Sequence, residues 1–248
     1  MDNLHNRNFM KSPLYAEAMA KSDQASGKPQ PPLVKEVEGK IIELPPFSEP
    51  DASYAILLDI RRSVRTFSDT PMTQEQLAFM LYSAQGIQQY RGRKEVITLR
   101  PVPSGGARHP FETYIIVQNV DGLEAGLYHY APATHAEAKK VSIVFMGPLD
   151  EEYKNSKLII GQNWTDSAHI LLFLTFVPYR SEWRYGEVSH RMGLIDSGHI
   201  GQNIMLSASA LELGSCCIAS YDQKMCDKAL KVDGTEEYTV YAAAVGTI

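Results

Sequence analysis

Several features that would assign a chain to a familiar functional class are absent from this sequence of 248 residues. It has only three cysteines, Cys216, Cys217 and Cys226. Because their number is odd and two are adjacent, they fit neither a disulfide framework nor a CxxC metal site, and we expect reduced thiols. No window reaches the roughly 18 uncharged apolar residues of a membrane span, and the first residues lack the apolar core of a signal peptide. We therefore expect a cytoplasmic protein without a membrane partner.

The sequence also lacks the common nucleotide and hydrolase motifs. No GxGxxG follows a predicted strand, and neither GxxxxGK[ST] nor GxSxG occurs. Dinucleotide-binding, P-loop and ordinary hydrolase functions are therefore disfavoured. A net charge of −5 and a pI near 5.8 argue against nucleic acid as the main partner. Asp196, His199 and Asn203 share a helical face, but no further His or Cys stands at ligand spacing, so we predict buried hydrogen-bonding groups and no metal site.

Against this background the stretch Arg61–Phe67 is unusual. It places Arg61, Arg62 and Arg65 within five positions of a chain that is acidic overall. Like charges this close repel one another unless an anion neutralises them, and guanidinium groups with a nearby Ser63 are suitable donors for phosphate. The alternative is ordinary: residues 53–60 form an amphipathic helical pattern, and cations are common at the C-terminal end of a helix.

The chain divides by composition near residue 50. Residues 1–50 contain few large apolar side chains and many prolines, which predicts an extended arm that either stays mobile or lies along a surface. In an oligomer, the surface of the partner subunit is a candidate. Residues 51–248 have the patterns of one globular domain with strands and helices. Because neighbouring strands resemble hairpins in the middle of the chain, we predict an α+β fold with a mixed, mainly antiparallel sheet flanked by helices.

Particular elements follow from local patterns. A capping box at Thr73 and Gln76 predicts the start of a helix that ends near Gly86, and residues 88–99 have the polarity of a solvated loop. Strands are predicted near 111–117, 126–130, 141–145, 170–177, 215–219 and 238–245, the fourth of them buried on both faces. Helices are predicted at 149–160, 188–213 and 223–230, with Gly214 ending the second and a polar link at 181–186 before it.

A glycine loop precedes the strand at 111–117. Gly105 and Gly106 stand among prolines and small residues in the stretch 100–110. Glycines allow a backbone to approach a flat ligand and to direct N–H groups at it. The alternative is a tight structural turn, although the length of the loop argues against a simple hairpin.

These stretches together resemble the FMN-dependent nitroreductase superfamily, whose fold has three layers. The similarity covers roughly residues 51–246, and the glycine loop with the strand at 126–130 resembles the SagB-type branch, which includes azoline oxidases. The motifs that carry the resemblance are Arg-Arg-Ser-Val-Arg-Thr-Phe at 61–67, Pro-Ser-Gly-Gly-Ala-Arg-His-Pro at 103–110, Asp-Ser-Gly-His-Ile-Gly-Gln-Asn at 196–203 and Gly-Ser-Cys-Cys-Ile at 214–218.

The resemblance implies a homodimer with FMN at the subunit interface. By similarity, Arg61, Arg62 and Ser63 hold the phosphate and ribityl chain, and Arg65 approaches the N1/O2 edge of the flavin, where a fixed positive charge stabilises the reduced ring. The glycine loop lines the ring or the ribityl chain, and the segment after Gly214 packs on one ring face and offers a backbone N–H near N5. The residues implied in these last two roles are Pro103, Ser104, Gly105, Gly106, Cys217, Ile218, Ala219 and Ser220.

The implied activity is a ping-pong reaction in which NAD(P)H gives hydride to flavin N5 and a small acceptor then takes the electrons. The alternative is a SagB-type dehydrogenase that oxidises an azoline or related substrate, with oxygen reoxidising the flavin. Azoline oxidases carry a catalytic Lys-Tyr pair where this chain has Arg184-Tyr185, and arginine is a poor general base because it stays protonated. Tyr185 is a candidate for proton transfer or substrate contact.

Two rival functions belong to other classes. One is a flavin-binding protein without turnover, acting as a carrier or sensor. The other is a thiol enzyme that uses Cys216 or Cys217 with His190 or His199.

Overall fold

A seven-stranded antiparallel sheet forms the middle layer of the protein. The computed structural model describes residues 4–11, 15–94, 96–132 and 140–248. The strand order in the sheet is β1-β6-β5-β4-β7-β9-β8, and β2 and β3 form a separate hairpin. The strands are β1 (Lys40–Glu43), β2 (Gln89–Arg91), β3 (Ile97–Leu99), β4 (Phe111–Val117), β5 (Gly126–Pro132), β6 (Val141–Gly147), β7 (Ile170–Phe176), β8 (Leu213–Ile218) and β9 (Tyr238–Thr247).

Helices cover both faces of this sheet. The long helix α7 packs with α3 and α4 on one face, and α5 and α8 lie on the other with two short 3-10 turns. The three-layer α+β architecture predicted from the sequence is therefore confirmed. The helices are α1 (Leu4–Phe9), α2 (Tyr15–Ala20), α3 (Tyr54–Ile60), α4 (Gln74–Gln85), α5 (Asn155–Leu158), α6 (Tyr179–Tyr185), α7 (Val188–Ala210) and α8 (Gln223–Ala229).

Strand β7 connects the two halves of the core. Leu172 and Leu174 face the cluster formed with α4 and α7, whereas Leu171 and Phe173 face the cluster on the opposite side of the sheet. All seven residues of β7 are buried, as the apolar run of this segment predicted. The predicted capping box is also present, because Gln76 N donates to Thr73 Oγ1 and Thr73 N donates to Gln76 Oε1.

Two segments that were predicted to be irregular have regular structure. Part of the stretch 88–99 forms the β2–β3 hairpin, held at Val96 by the Gln30 side chain, which bonds both the N–H and the carbonyl of that residue. The predicted link at 181–186 lies largely in helix α6, where Arg180 and Trp183 are buried. In both places contacts with the N-terminal arm stabilise structure that local composition does not favour.

Two predicted helix limits are wrong. The segment 149–160 is a 3-10 turn followed by the four-residue helix α5, because side chains of Asn155 and Asp166 bond backbone groups across this region. Helix α7 ends at Ala210, and Glu212, with φ of 58°, makes the turn that was assigned to Gly214. Gly214 lies in β8, where a Cβ would stand 2.7 Å from the Val64 side chain.

The N-terminal arm lies along its own chain from about residue 22. Strand β1 pairs antiparallel with β6, and backbone groups of the arm bond buried side chains of the domain. Trp183 Nε1 donates to Lys28 O at 3.0 Å, Arg180 Nε to Pro32 O at 3.0 Å, and Lys35 N to Glu112 Oε1 at 3.0 Å. A polar, proline-rich segment is thus ordered by the groups that it satisfies. None of the helices in the described ranges has the length and apolar character needed to cross a membrane.

Candidate functional site

The stretch Arg61–Phe67 extends the sheet beyond its edge strand β8. Ser63 forms a parallel bridge with Ser215, and Val64 N donates to Ser215 O at 2.9 Å. The Val64 side chain occupies the space that a Cβ on Gly214 would need. Backbone pairing and this close contact therefore fix the segment at the sheet edge, so the positions of its arginines are set by the fold.

Among the residues that the structure describes, no carboxylate pairs with the three guanidinium groups of this segment. Arg62 Nη1 donates to Arg61 O at 2.8 Å, and the Arg65 guanidinium lies 5.8 Å from the centre of the Trp164 ring. Within the described ranges, no carboxylate oxygen lies within 4.0 Å of these arginines. Arg62, Ser63 and Arg65 are exposed. This donor set suits a phosphorylated ligand, because guanidinium and hydroxyl groups are the usual neutralising donors for phosphate.

The C-terminal end of β8 lies near the same arginines. The Cys217 thiol is mostly buried, its Sγ is 3.6 Å from Gly201 O, and Arg61 is close enough to affect its pKa. Burial nevertheless raises the pKa of Cys217 to about 11. Ile218 is buried, whereas Ala219 and Ser220 are exposed beyond the strand. A thiol with this pKa is almost fully protonated near neutral pH, which argues against a thiolate mechanism at Cys217.

Strain and internal hydrogen bonds shape the glycine loop. Gly105–Ala107 form a 3-10 turn, and Ala107 and His109 have φ of 52° and 44°, in the left-handed region. His109 N donates to Ser104 Oγ at 2.9 Å, and Gly105 N donates to an Asp196 carboxylate oxygen at 3.4 Å. Burial raises the pKa of Asp196, while its bonds to the loop act in the opposite direction. Helix α7 thus holds the loop through Asp196.

Packing within the chain gives a further reason for the two glycines, beside the approach to a ligand that the sequence predicts. A Cβ on Gly105 would lie 1.9 Å from Met192 Cε, and a Cβ on Gly106 would lie 2.1 Å from Tyr185 Oη. Gly106 also has φ of 60°, which favours glycine, whereas the atom nearest to Gly105 is the end of the flexible Met192 side chain, which can move aside. Pro103 and Gly106 are exposed, and Ser104 and Gly105 are half-buried, so the backbone of the loop remains accessible at these positions.

The Arg184-Tyr185 pair lies beside this loop. The Arg184 guanidinium is 5.5 Å from the centre of the Tyr185 ring, and Tyr185 is only 6% exposed. Tyr15 of the arm covers it, with its ring edge-on at 5.7 Å and its hydroxyl 2.7 Å from Met192 Sδ. No sequence pattern pointed to Tyr15. Met192 and Asp196 could have been found, because they stand four residues apart on α7 and share a face.

Within one chain the predicted site residues form two groups. One contains the arginine segment and Cys217, and the other contains the glycine loop. The arginine segment and Cys217 lie at the level of Gly201, whereas the glycine loop contacts Met192. Along the helix axis Met192 is roughly 13 Å from Gly201, and Asp196, which also bonds the loop, is about 7.5 Å from Gly201, from a rise of about 1.5 Å per residue. Within the described residues, no hydrogen bond, ion pair or ring contact joins the groups.

Asp196, His199 and Asn203 of α7 are the residues for which the sequence predicted hydrogen bonding and no metal site. Asp196 bonds the glycine loop, and Asn203 Nδ2 donates to Ser83 O at 2.9 Å. Among the described residues no cluster of His, Cys, Asp and Glu could hold a metal ion. Hydrogen bonding explains Asp196 and Asn203, and His199 is exposed.

Several exposed apolar side chains lie on α3, directly before the arginine segment, and on α7, which α3 contacts. Helix α3 has no buried residue, although it contacts α7. Large exposed apolar patches usually mark an interaction surface, and helix faces of this kind often pair with a second copy of the same chain. The exposed side chains, each between 48% and 65% accessible, are Tyr54, Ile56, Leu58, Ile60, Leu194 and Ile195.

The chain is similar to one protein-family model and to several named proteins. The family model described as Nitroreductase family matches residues 58–247. The protein named Putative nitroreductase MJ1384 of Methanocaldococcus jannaschii is 32% identical over 202 residues, which are 79% of this chain and 93% of that protein. Trifolitoxin-processing protein TfxB of Rhizobium leguminosarum bv. trifolii is 31% identical over 149 residues, 59% of this chain and 39% of its own length.

Solved structures share the fold at low identity. The crystal structure of a protein named putative nitroreductase from Anabaena variabilis superposes with a TM-score of 0.72 at 21% identity. The match covers 98% of this chain and 45% of that one. A chain of the Escherichia coli microcin synthetase McbBCD complex with truncated pro-MccB17 gives a TM-score of 0.61 at 18% identity, over 100% and 98% of the two chains. These likenesses support the three-layer architecture.

Proposed function

The chain belongs to the nitroreductase family, on its SagB-like branch, and we propose that it is an FMN-dependent oxidoreductase that works as a homodimer. The observation that carries this proposal is the set of arginines at the sheet edge, which have no carboxylate partner among the described residues and lie beside the exposed residues that follow β8. A flavin phosphate is a ligand that would neutralise them, and the family of this chain consists generally of oxidoreductases.

We assign roles to the residues as follows. Arg61, Arg62 and Ser63 hold the phosphate and ribityl chain, and Arg65 supplies positive charge at the N1/O2 edge of the ring. When bound, FMN supplies reversible hydride transfer. The remaining contacts to the ring or ribityl chain come from Pro103, Ser104, Gly105 and Gly106 and from Cys217, Ile218, Ala219 and Ser220. Packing of the two glycines against Tyr185 and Met192 supports a backbone role for them.

The two groups of site residues are separated within one chain, which favours a site completed by the partner subunit. The exposed apolar residues of α3 and α7 lie next to the arginine segment. Burying them against a second copy would remove them from water and would close the site to solvent. A monomeric FMN-loaded protein on gel filtration with light scattering would contradict this part of the proposal.

Arg184 and Tyr185 have different chemical capacities. Arg184 stays protonated and can only stabilise negative charge, whereas the Tyr185 hydroxyl can donate a proton. Because Tyr185 Oη packs on Gly106, its proton is held beside the glycine loop. We therefore propose Tyr185 as the proton donor or substrate contact and Arg184 as the charge that accompanies it.

The proposed reaction is hydride transfer from NAD(P)H to a small acceptor. An alternative is oxidation of an azoline or a related peptide or small molecule, with oxygen as the final acceptor; similarity to a trifolitoxin-processing protein favours it. The arginine at position 184 weakens this alternative, because a lysine could act as a base after burial, and an arginine cannot. A non-catalytic flavin-binding protein is the remaining possibility.

The purified protein should be examined first by absorption spectroscopy, with and without added FMN. We expect a bound flavin spectrum in a dimeric protein, and rapid anaerobic bleaching by NADH or NADPH. Slow bleaching by both nucleotides, combined with loss of two hydrogen atoms from a synthetic azoline peptide in air, would favour the alternative dehydrogenase. Bound flavin without either reaction indicates a carrier, and a colourless protein after incubation with excess FMN contradicts the cofactor assignment.

A further inference from the structure

The first residues of the N-terminal arm border the Arg184-Tyr185 pair. Tyr15, which begins α2, stands edge-on to the Tyr185 ring with 5.7 Å between the ring centres, and its hydroxyl donates to Met192 Sδ at 2.7 Å. Tyr185 is 6% exposed, whereas Tyr15 is 41% exposed. Tyr15 therefore lies between solvent and the proposed proton donor, and it narrows the approach to that side of Tyr185.

A second residue of the arm extends this cover along α7. Phe9 of α1 lines a pocket of about 220 Å³ together with His190 and Leu194 of α7. These two positions lie on either side of Met192 in the sequence of the helix, and Met192 is also the residue that packs on Gly105. A molecule that approached the glycine loop from this side would therefore have to pass the arm.

The arm is fixed to helix α6 shortly after α2. Gln24 N donates to Trp183 O at 2.8 Å, and Trp183 Nε1 donates to Lys28 O at 3.0 Å. Trp183 is 2% exposed, so these bonds anchor the arm to the protein interior. Because Trp183 and Tyr185 belong to the same short helix, the anchor holds α2 beside the Arg184-Tyr185 pair.

Tyr15 itself contributes little to the stability of the fold. None of the residues of α2 is buried, and a thioether sulfur is a weak hydrogen-bond acceptor. A partly exposed, edge-on contact between two aromatic rings adds only modest stabilisation. The side chain can therefore be replaced without damage to the core, and its main effect is on access to Tyr185.

We propose that Tyr15 determines the width of the acceptor that reaches Tyr185. Narrow planar acceptors pass beside its ring, whereas wider aromatic molecules and peptides are disfavoured. The proposal rests on the proposed FMN-dependent function and on Tyr185 as the substrate contact, and it selects the small acceptor from the alternatives given above. Tyr15 sets specificity without belonging to the proposed cofactor-binding residues.

The test follows only the transfer of electrons to the acceptor, so it needs no nicotinamide. The full-length protein loaded with FMN is reduced with an equimolar amount of dithionite without air and is mixed with benzoquinone or with the wider phenanthrenequinone in a stopped-flow instrument. Either quinone takes a hydride and a proton from the reduced protein and becomes the hydroquinone. The quantity compared is the ratio of the two reoxidation rate constants, wide quinone over narrow quinone, because differences in potential between the quinones cancel when variants are compared.

Tyr15→Ala should raise this ratio about tenfold, which is a size discrimination that an apolar pocket commonly gives. Tyr15→Trp should lower the ratio, and Tyr15→Phe should keep it within about twofold because the ring remains. The matched control is Ile41→Ala, which shortens an apolar side chain of the arm that is 70% exposed on β1, and it should leave the ratio unchanged. FMN affinity, measured by fluorescence titration, should be the same in all four variants.

The outcomes separate this proposal from the proposed function. With FMN bound, an unchanged ratio in Tyr15→Ala or a higher ratio in Tyr15→Trp would overturn the role of Tyr15 and leave the FMN-dependent function intact. Dehydrogenation of a synthetic azoline peptide by the unaltered protein would do the same, because a peptide would then pass Tyr15. Loss of FMN affinity in Tyr15→Ala would also overturn it, since Tyr15 would then hold the cofactor. A protein that binds no FMN would overturn the proposed function and this proposal together.

Discussion

Charged side chains are arranged in opposite ways at the two ends of β9. At its first residues lies a buried network in which Glu112, Arg180, Lys35 and Glu237 are paired. Near its last residues lies the exposed segment with Arg61, whose cations have no carboxylate partner in the described part of the chain. The charges of the buried network are neutralised within the chain, whereas under our proposal the arginines at the sheet edge are neutralised by the phosphate of a bound flavin.

The buried network connects the arm to the sheet. Glu112 accepts from Lys35 N at 3.0 Å and lies 3.0 Å from His129 Nε2, in addition to its pair with Arg180. Burial alone would raise the pKa of Glu112, but Arg180 and His129 lower it to about 2. Lys35 Nζ also bonds Glu237 and the Tyr114 hydroxyl. Removal of one member therefore leaves buried partners uncompensated.

The largest effect is a loss of stability when a carboxylate of the buried network is replaced. Glu112→Gln leaves the buried Arg180 charge without its partner, which should lower the free energy of unfolding by about 3–5 kcal/mol. Urea unfolding followed by circular dichroism measures this loss. The control is Glu43→Gln, which breaks the solvent-exposed pair with Lys140 and should have little effect.

A double-mutant cycle with Arg180→Met distinguishes pairing from general damage. If the loss comes from an unpaired charge, the double variant should be less destabilised than the sum of the single variants. Additive losses, or a loss from Glu112→Gln as small as that of the control, would contradict the contrast between the two ends of β9.

The next largest effect is a loss of FMN affinity when arginines of the exposed segment are replaced. Arg61→Ala with Arg62→Ala should weaken FMN binding by about 100- to 1,000-fold, from the typical value of hydrogen bonds to charged groups. The apoprotein should be equally stable or slightly more stable, because two repelling charges are removed. Fluorescence titration gives the affinity and thermal unfolding of the apoprotein gives the stability.

The matched control removes the same number of charges elsewhere. Arg91 and Arg93 are exposed in or near the β2–β3 hairpin, and their replacement by alanine should leave FMN affinity within about twofold. Equal loss of affinity in both variants would mean that net charge, and not the sheet-edge arginines, determines binding.

The sequence predicts well what depends on local periodicity and much less what depends on distant partners. The buried strand β7 and the capping box at Thr73 follow from spacing and were found. Helix α6 was not, because Trp183 and Arg180 are stabilised by carbonyl groups some 150 residues away in the arm. In the candidate site, the arginine stretch was visible as a local excess of charge, whereas the contact of Tyr15 with Tyr185 has no local signal.

A change of pH should alter the free energy of unfolding, and this effect should be smaller than those of the substitutions above. His109 is buried near Arg100, and burial followed by this neighbour lowers its pKa to about 3. The unfolded chain, with an ordinary histidine pKa, binds more protons as pH falls, so stability should decrease from about pH 6.5 toward pH 3. The loss between pH 7 and pH 5 is at most about 2 kcal/mol, from about 1.4 kcal/mol per pH unit.

His109→Asn tests this expectation, because asparagine tolerates the positive φ of this position. Urea unfolding at pH 7 and pH 5 should show a smaller difference in the variant than in the original protein. FMN affinity should fall between these pH values by the same factor in both proteins, because the phosphate, with a second pKa of about 6, takes up a proton while the arginines stay charged. The same pH dependence of stability in both proteins would show that other groups determine it.

The smallest effect concerns Arg65 of the exposed segment, whose guanidinium lies over an aromatic ring. Arg65 lies over Trp164, which also contacts Phe67, and a contact between a cation and an aromatic ring at an exposed site contributes about 0.5–1 kcal/mol. If Trp164 positions Arg65 for FMN, Trp164→Leu should weaken FMN binding by about two- to fivefold, and should have no effect in an Arg65→Ala background. Fluorescence titration of the four proteins measures this coupling. Equal losses in both backgrounds would mean that Trp164 supports the fold alone, and that Arg65, like Arg61, is positioned only by the sheet edge.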